Sequence, residues 1–123
     1  MKNITGVVGV VIWTDNMTEM VSFYRDTLQL PVHSYRPSFV SFEFGIFRLN
    51  IGEHSEIKGP AKDPLRVMLH LSVEDIHYWH DRLNSLGVEF IRIPEKESWG
   101  GMVATLKDPD GNVLQLLEFP KET

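Results

Sequence analysis

The sequence predicts an α+β fold built from two tandem βαβββ modules. The same strand and helix pattern occurs twice, over about residues 6–52 and about residues 65–119, with a polar linker at residues 53–64. The halves align where each helix is expected to begin, at Asp15 and Asp75, and at the glycine before each last strand, Gly45 and Gly111. Because an internal repeat constrains the fold more strongly than a single motif does, we treat residues 1–123 as one domain of two modules.

The composition indicates a single globular domain and excludes several classes of function. The chain has 123 residues, of which 42% are hydrophobic and 24% are charged, which suits one core and one polar surface. It contains no cysteine, which excludes disulfides, thiolate nucleophiles and cysteine-ligated metals. The net charge of −5 comes without a basic cluster, so no nucleic-acid partner is expected. The expected partners are a small molecule and a second copy of the chain.

The N-terminal stretch determines the expected location. The apolar run Gly6–Trp13 is the longest in the chain, yet it is too short to cross a bilayer. Lys2 precedes it, and no small-residue cleavage site follows, so the pattern of a signal peptide is missing. We therefore expect a cytoplasmic protein without a membrane partner.

The first module begins with the valine-rich run Gly6–Trp13, which predicts a buried strand. Asn16 and Glu19 have the spacing of a capping box at the start of a helix, and a proline at position 31 ends that helix near Leu28. The apolar side of the helix is predicted to comprise Met17, Met20, Val21, Tyr24 and Leu28. Three strands are then predicted over residues 32–36, 39–44 and 46–51.

The second module repeats this pattern with a different helix start. Residues 65–73 predict a strand, and Asp75 is placed to cap the helix that follows. Gly87 is expected just after the end of the helix, since it tolerates left-handed backbone geometry. The apolar side of this helix is predicted to comprise Ile76, Trp79, Leu83 and Leu86. The remaining strands are predicted over residues 88–93, 101–106 and 113–119, with a loop at 94–100 and a turn at 108–112.

Three segments carry a resemblance to a known family. They are FYRDTL at Phe23–Leu28, SWGG at Ser98–Gly101 and KDPDGNVLQLLE at Lys107–Glu118. In this order, within a duplicated chain, they resemble the vicinal oxygen chelate superfamily of glyoxalases, bleomycin resistance proteins and dioxygenases. The similarity runs from about residue 6 to residue 119. It implies curved sheets that enclose a ligand cavity, helices on the outer faces, and a homodimer.

The resemblance also implies where a metal would be held, and the side chains at those positions differ from the family's ligands. In metal-binding members a histidine lies seven residues before the Asp that opens the first helix, which is Val8 here, and its second-module counterpart is Met68. The Glu of the closing segment corresponds to Gln115, and a fourth ligand corresponds to Leu49 or Asn50. Apolar, thioether and amide groups are poor ligands for Zn²⁺, Mg²⁺ or Fe²⁺. We therefore expect no metal at the usual site and no cofactor.

His70 is the strongest candidate for a functional side chain. It lies two residues from Met68 and so on the same face of the strand, where a two-residue shift of the alignment would make it the ligand position. It could bind or deprotonate a ligand, because histidine changes its charge near neutral pH, or it could be a buried neutral histidine. Gln115 and Ser72 are expected on that face, and Met68 and Val8 are expected to line the same ligand site.

The tryptophans divide between a ligand site and the core. Trp99 in the SWGG loop could stack on a flat ligand, or it could pack against its own domain. Trp13 and Trp79 are expected in the core. A dense aromatic set could serve either as core or as the wall of a pocket, and it comprises Tyr35, Phe39, Phe42, Phe44 and Phe47.

The charged candidates are weaker. His77 and His80 have metal-ligand spacing on a helix, but with only Asp81 nearby we expect a solvated face. Glu118 lies three residues beyond Gln115 and is expected to face away from the cavity, and the orientation of Glu43 is left open.

Two functions of different classes compete, and a third is weaker. The first is a small-molecule-binding protein of the glyoxalase and bleomycin resistance type without the usual metal site. The alternative is a glyoxalase-like lyase or isomerase that uses His70 as its catalytic acid–base group. The third is a structural or regulatory subunit that uses its dimer surface.

Overall fold

The computed structural model describes residues 2–121, and these residues form two four-stranded sheets, each accompanied by a helix. The chain falls into two compact units, one ending at Gly59 and the other starting at Pro60, so the boundary lies inside the predicted linker. Each unit has the order βαβββ. The predicted α+β class with two tandem βαβββ modules is therefore confirmed. Between residues 2 and 121, no helix has both the length and the apolar character that crossing a membrane requires.

Unit one is a mixed sheet in the order β1-β4-β3-β2. β1 runs parallel to β4, and the other neighbours are antiparallel. A short helix α1 (Met17–Ser22) follows β1 and continues directly as a π-helical segment (Phe23–Thr27). The strands are β1 (Gly9–Thr14), β2 (Val32–Arg36), β3 (Phe39–Phe44) and β4 (Phe47–Glu53). β1 starts three residues later than predicted, because its ladder with β4 starts at Gly9 and Arg48.

The core of unit one lies between the helix and one face of this sheet. The ring centroids of Tyr24 and Phe42 are 6.5 Å apart, which fixes the face of β3 that the helix covers. Each fully buried apolar side chain of this kind contributes about 1.5–3 kcal/mol relative to exposure. The predicted apolar helix side is buried except for half-buried Met17, and it packs on alternate strand residues, namely Val40, Phe42, Leu49 and Ile51.

Unit two repeats the topology in the order β5-β8-β7-β6. Its elements are β5 (Leu69–Ser72), α2 (Ile76–Ser85), β6 (Phe90–Lys96), β7 (Met102–Lys107) and β8 (Val113–Glu118). Its core comprises Ile76, Leu83, Ala104, Leu106, Leu114 and Leu116.

Two strand predictions in unit two were wrong. β5 is shorter than predicted, since β8 pairs with residues 69–72 alone, and Leu65 and Val67 are exposed. β6 extends to Lys96, so Pro94 lies inside a strand and not in a loop. A shift of register between Arg92 and Glu95 accommodates the proline, which cannot donate to a ladder.

The two helices begin differently. Asn16 occupies the position before α1 but its side chain makes no capping hydrogen bond, so the predicted capping box is wrong; instead the Asn16 N–H donates to Thr14 Oγ1 at 2.8 Å. Asp75 caps α2 as predicted and accepts from the Tyr78 N–H at 3.1 Å. Gly87 has the predicted left-handed geometry, with a φ of 83°.

Candidate functional site

Alternate side chains of each sheet point away from its helix, and we call this side the helix-free face. In unit one, Leu49 and Ile51 pack on the helix, so Asn50 between them lies on the helix-free face. In unit two, Leu114 and Leu116 lie in the core, and Gln115 between them faces the other way.

The helix-free face of unit two carries a polar row across neighbouring strands. His70 on β5 pairs with Gln115 on β8, and Gln115 pairs with Thr105 on β7. The side-chain amide Nε2 of Gln115 donates to Thr105 Oγ1 at 3.4 Å. His70 is exposed and not buried, and Ser72 is exposed two residues further along β5. The structure thus places His70, Gln115 and Ser72 on one face, while their role in binding stays a prediction.

Beyond Thr105, this row ends in a charged group at the edge strand. Arg92 on β6 pairs with Thr105 in register. Its guanidinium lies 2.8 Å from the Glu95 carboxylate and 2.7 Å from the Glu97 carboxylate. Arg92 donates these hydrogen bonds, and the bond to Glu95, followed by the bond to Glu97, raises the pKa of Arg92 above its ordinary value. The group carries one positive and two negative charges, so its net charge is negative.

Unit one has a matching polar row in which an amide again meets a hydroxyl. Asn50 on β4 pairs with Ser41 on β3 and with Val11 on β1. The Ser41 hydroxyl donates to Asn50 Oδ1, and Asn50 Nδ2 donates to the Val10 carbonyl at 3.1 Å. Val11 stands where unit two has His70, so this row has no titratable group beside the amide.

The sequence analysis missed both hydroxyl partners. Ser41 and Thr105 are buried polar residues within largely apolar strands, which was the available signal. Each lies nine or ten residues from its amide partner, and the sequence did not give the register that brings them together.

The observed start of the first helix bears on the first-module metal position that the family resemblance implies. Asn16, and not Asp15, occupies the N-cap of α1, so seven residues before the helix start is Gly9. Val8 precedes β1 and is 66% exposed. A Cβ on Gly9 would lie 2.5 Å from the carbonyl oxygen of Arg48, closer than real Cβ contacts. The backbone would have to shift before any side chain could occupy this position.

The other donor positions fit a metal no better. Leu49 is buried in the core of unit one, which leaves Asn50 as the residue on the helix-free face. Met68 precedes β5, and Gln115 offers an amide. Thioether and amide groups beside the single imidazole of His70 do not match the preferences of Zn²⁺, Mg²⁺ or Fe²⁺.

The helix histidines do not alter this conclusion. His80 Nδ1 lies 3.7 Å from Asp81, and the His80 ring packs edge-on against Phe90 with centroids 4.8 Å apart. Within residues 2–121, no three histidine, aspartate or glutamate side chains come together in a way that could hold a metal ion.

Neither of the two tryptophans that were predicted in the core, Trp13 and Trp79, is fully buried. Trp99 lies over Gly101 and is 6.2 Å from the Phe119 ring, with 47% of its surface exposed. Trp79 is half-buried, with the Arg82 guanidinium 5.9 Å from its ring. Trp13 was predicted in the core, but it is 41% exposed, because its pairing with Gly52 places it on the helix-free face.

The remaining candidates divide between the two faces. Glu118 faces away from Gln115, as predicted, and its Oε1 accepts from the Ile76 N–H at 3.1 Å, which fixes the start of α2. Glu43 lies on the helix-free face of unit one, 3.6 Å from Arg48. The aromatic set is split, because Phe42 is core, Phe39 and Phe47 are half-buried, and Tyr35 and Phe44 are exposed.

The chain consists of two βαβββ units, and the helix-free face of each carries an amide hydrogen-bonded to a hydroxyl. The family model of the Glyoxalase/Bleomycin resistance protein/Dioxygenase superfamily matches residues 6–116. The chain belongs to this superfamily. It is 32% identical over 68 residues to a bleomycin resistance protein of Klebsiella pneumoniae, a match that covers 48% of this chain and 54% of that protein. The chain thus spans about half the length of this curated relative.

Solved structures share the fold along almost the whole chain. A protein of unknown function from Agrobacterium tumefaciens has a TM-score of 0.79 and 23% identity, covering 96% of this chain and 97% of that chain. A lactoylglutathione lyase from the same organism has a TM-score of 0.74 and 19% identity, covering 95% and 96%. A glyoxalase family protein from Bacillus anthracis has a TM-score of 0.75 and 22% identity, covering 96% and 98%. At these identities the likeness establishes the fold alone.

Proposed function

We propose that this chain is a small-molecule-binding protein of the glyoxalase and bleomycin resistance type that works without the usual metal site. The observation that carries the proposal is the polar row of unit two. There the exposed His70 lies beside Gln115, which is hydrogen-bonded to Thr105. A few placed polar groups on a largely apolar framework are typical of small-molecule sites.

The chemistry of this row suits hydrogen bonding to a ligand. An amide has two N–H donors and a carbonyl acceptor, and the bond to Thr105 uses one of the donors of Gln115. Imidazole can donate or accept, depending on its tautomer. Trp99 and Phe119, further along the same unit, offer aromatic surface on which a flat part of the ligand could stack.

The family relationship supports binding but does not identify the ligand. The curated relative is a bleomycin resistance protein, whose name suggests that it protects against a drug. Since the match spans about half of that protein, binding of a drug by this chain is a proposal that direct titration has to test.

A lyase or isomerase is the second candidate. The exposed imidazole of His70 beside an amide favours it, because such a group can transfer a proton to or from a bound substrate. A second acid or base is also needed. The carboxylates of Glu95 and Glu97 both form ion pairs with Arg92, so they are poorly placed for this role. We therefore rank binding above catalysis.

The cellular setting also belongs to the proposal. A homodimer in the cytoplasm, without nucleic-acid or membrane partners, is the setting we propose for this activity. The net charge of −5 supports the absence of a nucleic-acid partner.

The first test is a ligand screen with matched histidine variants. The full chain is screened against small molecules, including bleomycin, and each hit is titrated by calorimetry. For a ligand held by the polar row, His70→Ala and Gln115→Ala should each weaken binding about tenfold, the value of one lost hydrogen bond. His77→Ala is the control, since His77 is exposed on α2. Equal affinities for His70→Ala and His77→Ala would exclude the polar row as the site.

Elemental analysis separates metal-free binding from a metalloenzyme. Protein purified without a tag after growth with added divalent metals should contain far less than one metal per chain. A stoichiometric metal that is lost in His70→Ala would refute the metal-free proposal. Turnover of a glyoxalase-type substrate that disappears in His70→Ala but not in His77→Ala would establish the second candidate.

A further inference from the structure

An aromatic surface on unit one is not used by the proposed function. Trp13 lies near the end of β1, with its ring centroid 6.1 Å from that of Phe39 and 5.4 Å from that of His54. We call Trp13, Phe39 and His54, together with Gly52 beneath them, the ring platform. Trp13 is 41% exposed although burial of so large an apolar side chain is favourable. Because the sequence predicted Trp13 in the core, it did not predict this platform.

The rings of the platform are held in place by β4. A Cβ on Gly52 would lie 2.7 Å from Cζ3 of Trp13 and 2.8 Å from Cδ1 of Phe39, so both rings rest directly on the glycine backbone. Gly52 pairs with Trp13 on one side and with Phe39 on the other. Because these rings are already fixed, a ligand that stacks on them restricts few additional torsions.

Hydrogen-bonding groups lie next to the platform. Asn50 precedes Gly52 by two residues on the same face, which is about 6.6 Å along the strand. Its amide donates to the Val10 carbonyl and accepts from the Ser41 hydroxyl, so one N–H and one lone pair lie outside these two bonds. A ligand whose ring sits on Trp13 can therefore place an acceptor within reach of an amide donor.

His54 adds a second donor at the edge of the platform. Its Nδ1 accepts from the backbone N–H of Glu56 at 3.1 Å. In the neutral imidazole the proton is then on Nε2, which makes that nitrogen a donor. His54 is exposed. Donors at two places beside a stacking surface favour a ligand that accepts hydrogen bonds.

We propose that the ring platform binds a planar aromatic or heteroaromatic ring that carries a hydrogen-bond-accepting group, such as an aromatic carboxylate. This inference rests on the proposed function, because it names the ligand class of a small-molecule binder. The residues of the platform lie in unit one, whereas His70 and Gln115 lie in unit two. The platform proposal and the polar-row proposal can therefore fail independently.

The test compares an aromatic probe with its saturated counterpart. The full chain is titrated with 2-naphthoate and with decahydronaphthalene-2-carboxylate, which have the same carboxylate and ring skeleton. The aromatic probe should bind about fivefold more tightly, which corresponds to the gain of about 1 kcal/mol from ring stacking. Trp13→Leu should remove this preference while keeping an apolar side chain, and Trp13→Phe should retain part of it. Tyr78→Ala removes an exposed aromatic from α2 and should change neither affinity.

Circular dichroism and urea midpoints establish that each variant is folded before its affinity is interpreted. An unchanged preference for 2-naphthoate in folded Trp13→Leu would overturn the inference. So would the finding that neither probe binds while Trp13→Leu turns a dimer into a monomer, because a second copy would then cover the platform.

The two proposals are separated by His70→Ala. Loss of the aromatic preference in Trp13→Leu, with no effect of His70→Ala on any ligand, supports the platform and refutes the polar row. A ligand that depends on His70 but shows no aromatic preference and no sensitivity to Trp13 supports the polar row and overturns the platform.

Discussion

The two units repeat the same sheet, yet they differ at the strand that starts each repeat. Both have an amide on the last strand hydrogen-bonded to a hydroxyl on the strand before it, Asn50 with Ser41 and Gln115 with Thr105. Beside the amide, unit one has Val11 on β1, whereas unit two has His70 on β5. The duplicated framework is therefore retained, whereas the side chain beside the amide is apolar in unit one and titratable in unit two.

The close backbone approach at Gly9 in unit one gives the largest expected effect on stability. A Cβ at this position would lie 2.5 Å from the Arg48 carbonyl oxygen, so β1 or β4 must move to accept it. We expect Gly9→Ala to lower the free energy of unfolding by about 2 kcal/mol, a typical cost of overpacking.

Gly6→Ala is the matched control, because nothing lies within 4 Å of a Cβ there. It should change stability by less than about 0.5 kcal/mol. Urea unfolding of both variants measures the contrast. Equal midpoints would mean that β1 and β4 are not as close in solution as the structure has them.

The two helix starts give the next effect in size. Asp75 accepts the Tyr78 N–H, and we expect Asp75→Ala to lower the free energy of unfolding by about 1 kcal/mol. Asn16 makes no side-chain cap, and Asn16→Ala should change it by less than about 0.5 kcal/mol. Amide hydrogen exchange at the first turn of each helix locates the effect. A larger loss of stability for Asn16→Ala than for Asp75→Ala would show that the side chain of Asn16 caps α1 in solution.

The π-helical segment of unit one gives the smallest effect, and its size depends on pH. The hydrogen bond from Arg25 lowers the pKa of Asp26 below its ordinary value of 3.8. A carboxyl group with a lowered pKa contributes stability above its ordinary pKa, and this contribution is lost as pH falls through the lower folded-state value. Asp26→Asn should therefore be slightly less stable than the parent at neutral pH. The difference should shrink as pH falls below 3.8 and vanish once the carboxyl group of folded Asp26 is protonated.

Thermal unfolding of both proteins across this pH range provides the measurement. Because the pair is exposed, we expect a small difference that added salt reduces. A difference that persists in acid would show that the carboxylate of Asp26 is not its source.

Much of the fold follows from local sequence signals. Asp75 and Gly87 mark the ends of α2 because capping and left-handed geometry depend on a few adjacent residues. The apolar spacing of α1 also predicts its buried side, from Met20 to Leu28. The repeat itself predicts the order of the strands.

The face of each side chain was harder to predict, because it depends on pairing between distant strands. Trp13 was expected in the core, yet its register with Gly52 exposes it. Val8 precedes β1, and its expected place beside a ligand stays a prediction. A shift of one residue in register reverses every side chain of a strand, and no local pattern in a valine-rich run prevents it. The enclosed cavity that the family resemblance implies stays a prediction.

The irregular outer strands of the two sheets have a consequence for self-association. β2 and β6 are the last strands of their sheets, and each contains a break in register, at Val32–Ser34 and around Pro94. Bulges and proline at an edge hinder the addition of a foreign strand. β1 and β5 pair with their neighbours without a register shift. Addition of a foreign strand is therefore hindered more at the β2 and β6 edges than at the β1 and β5 edges.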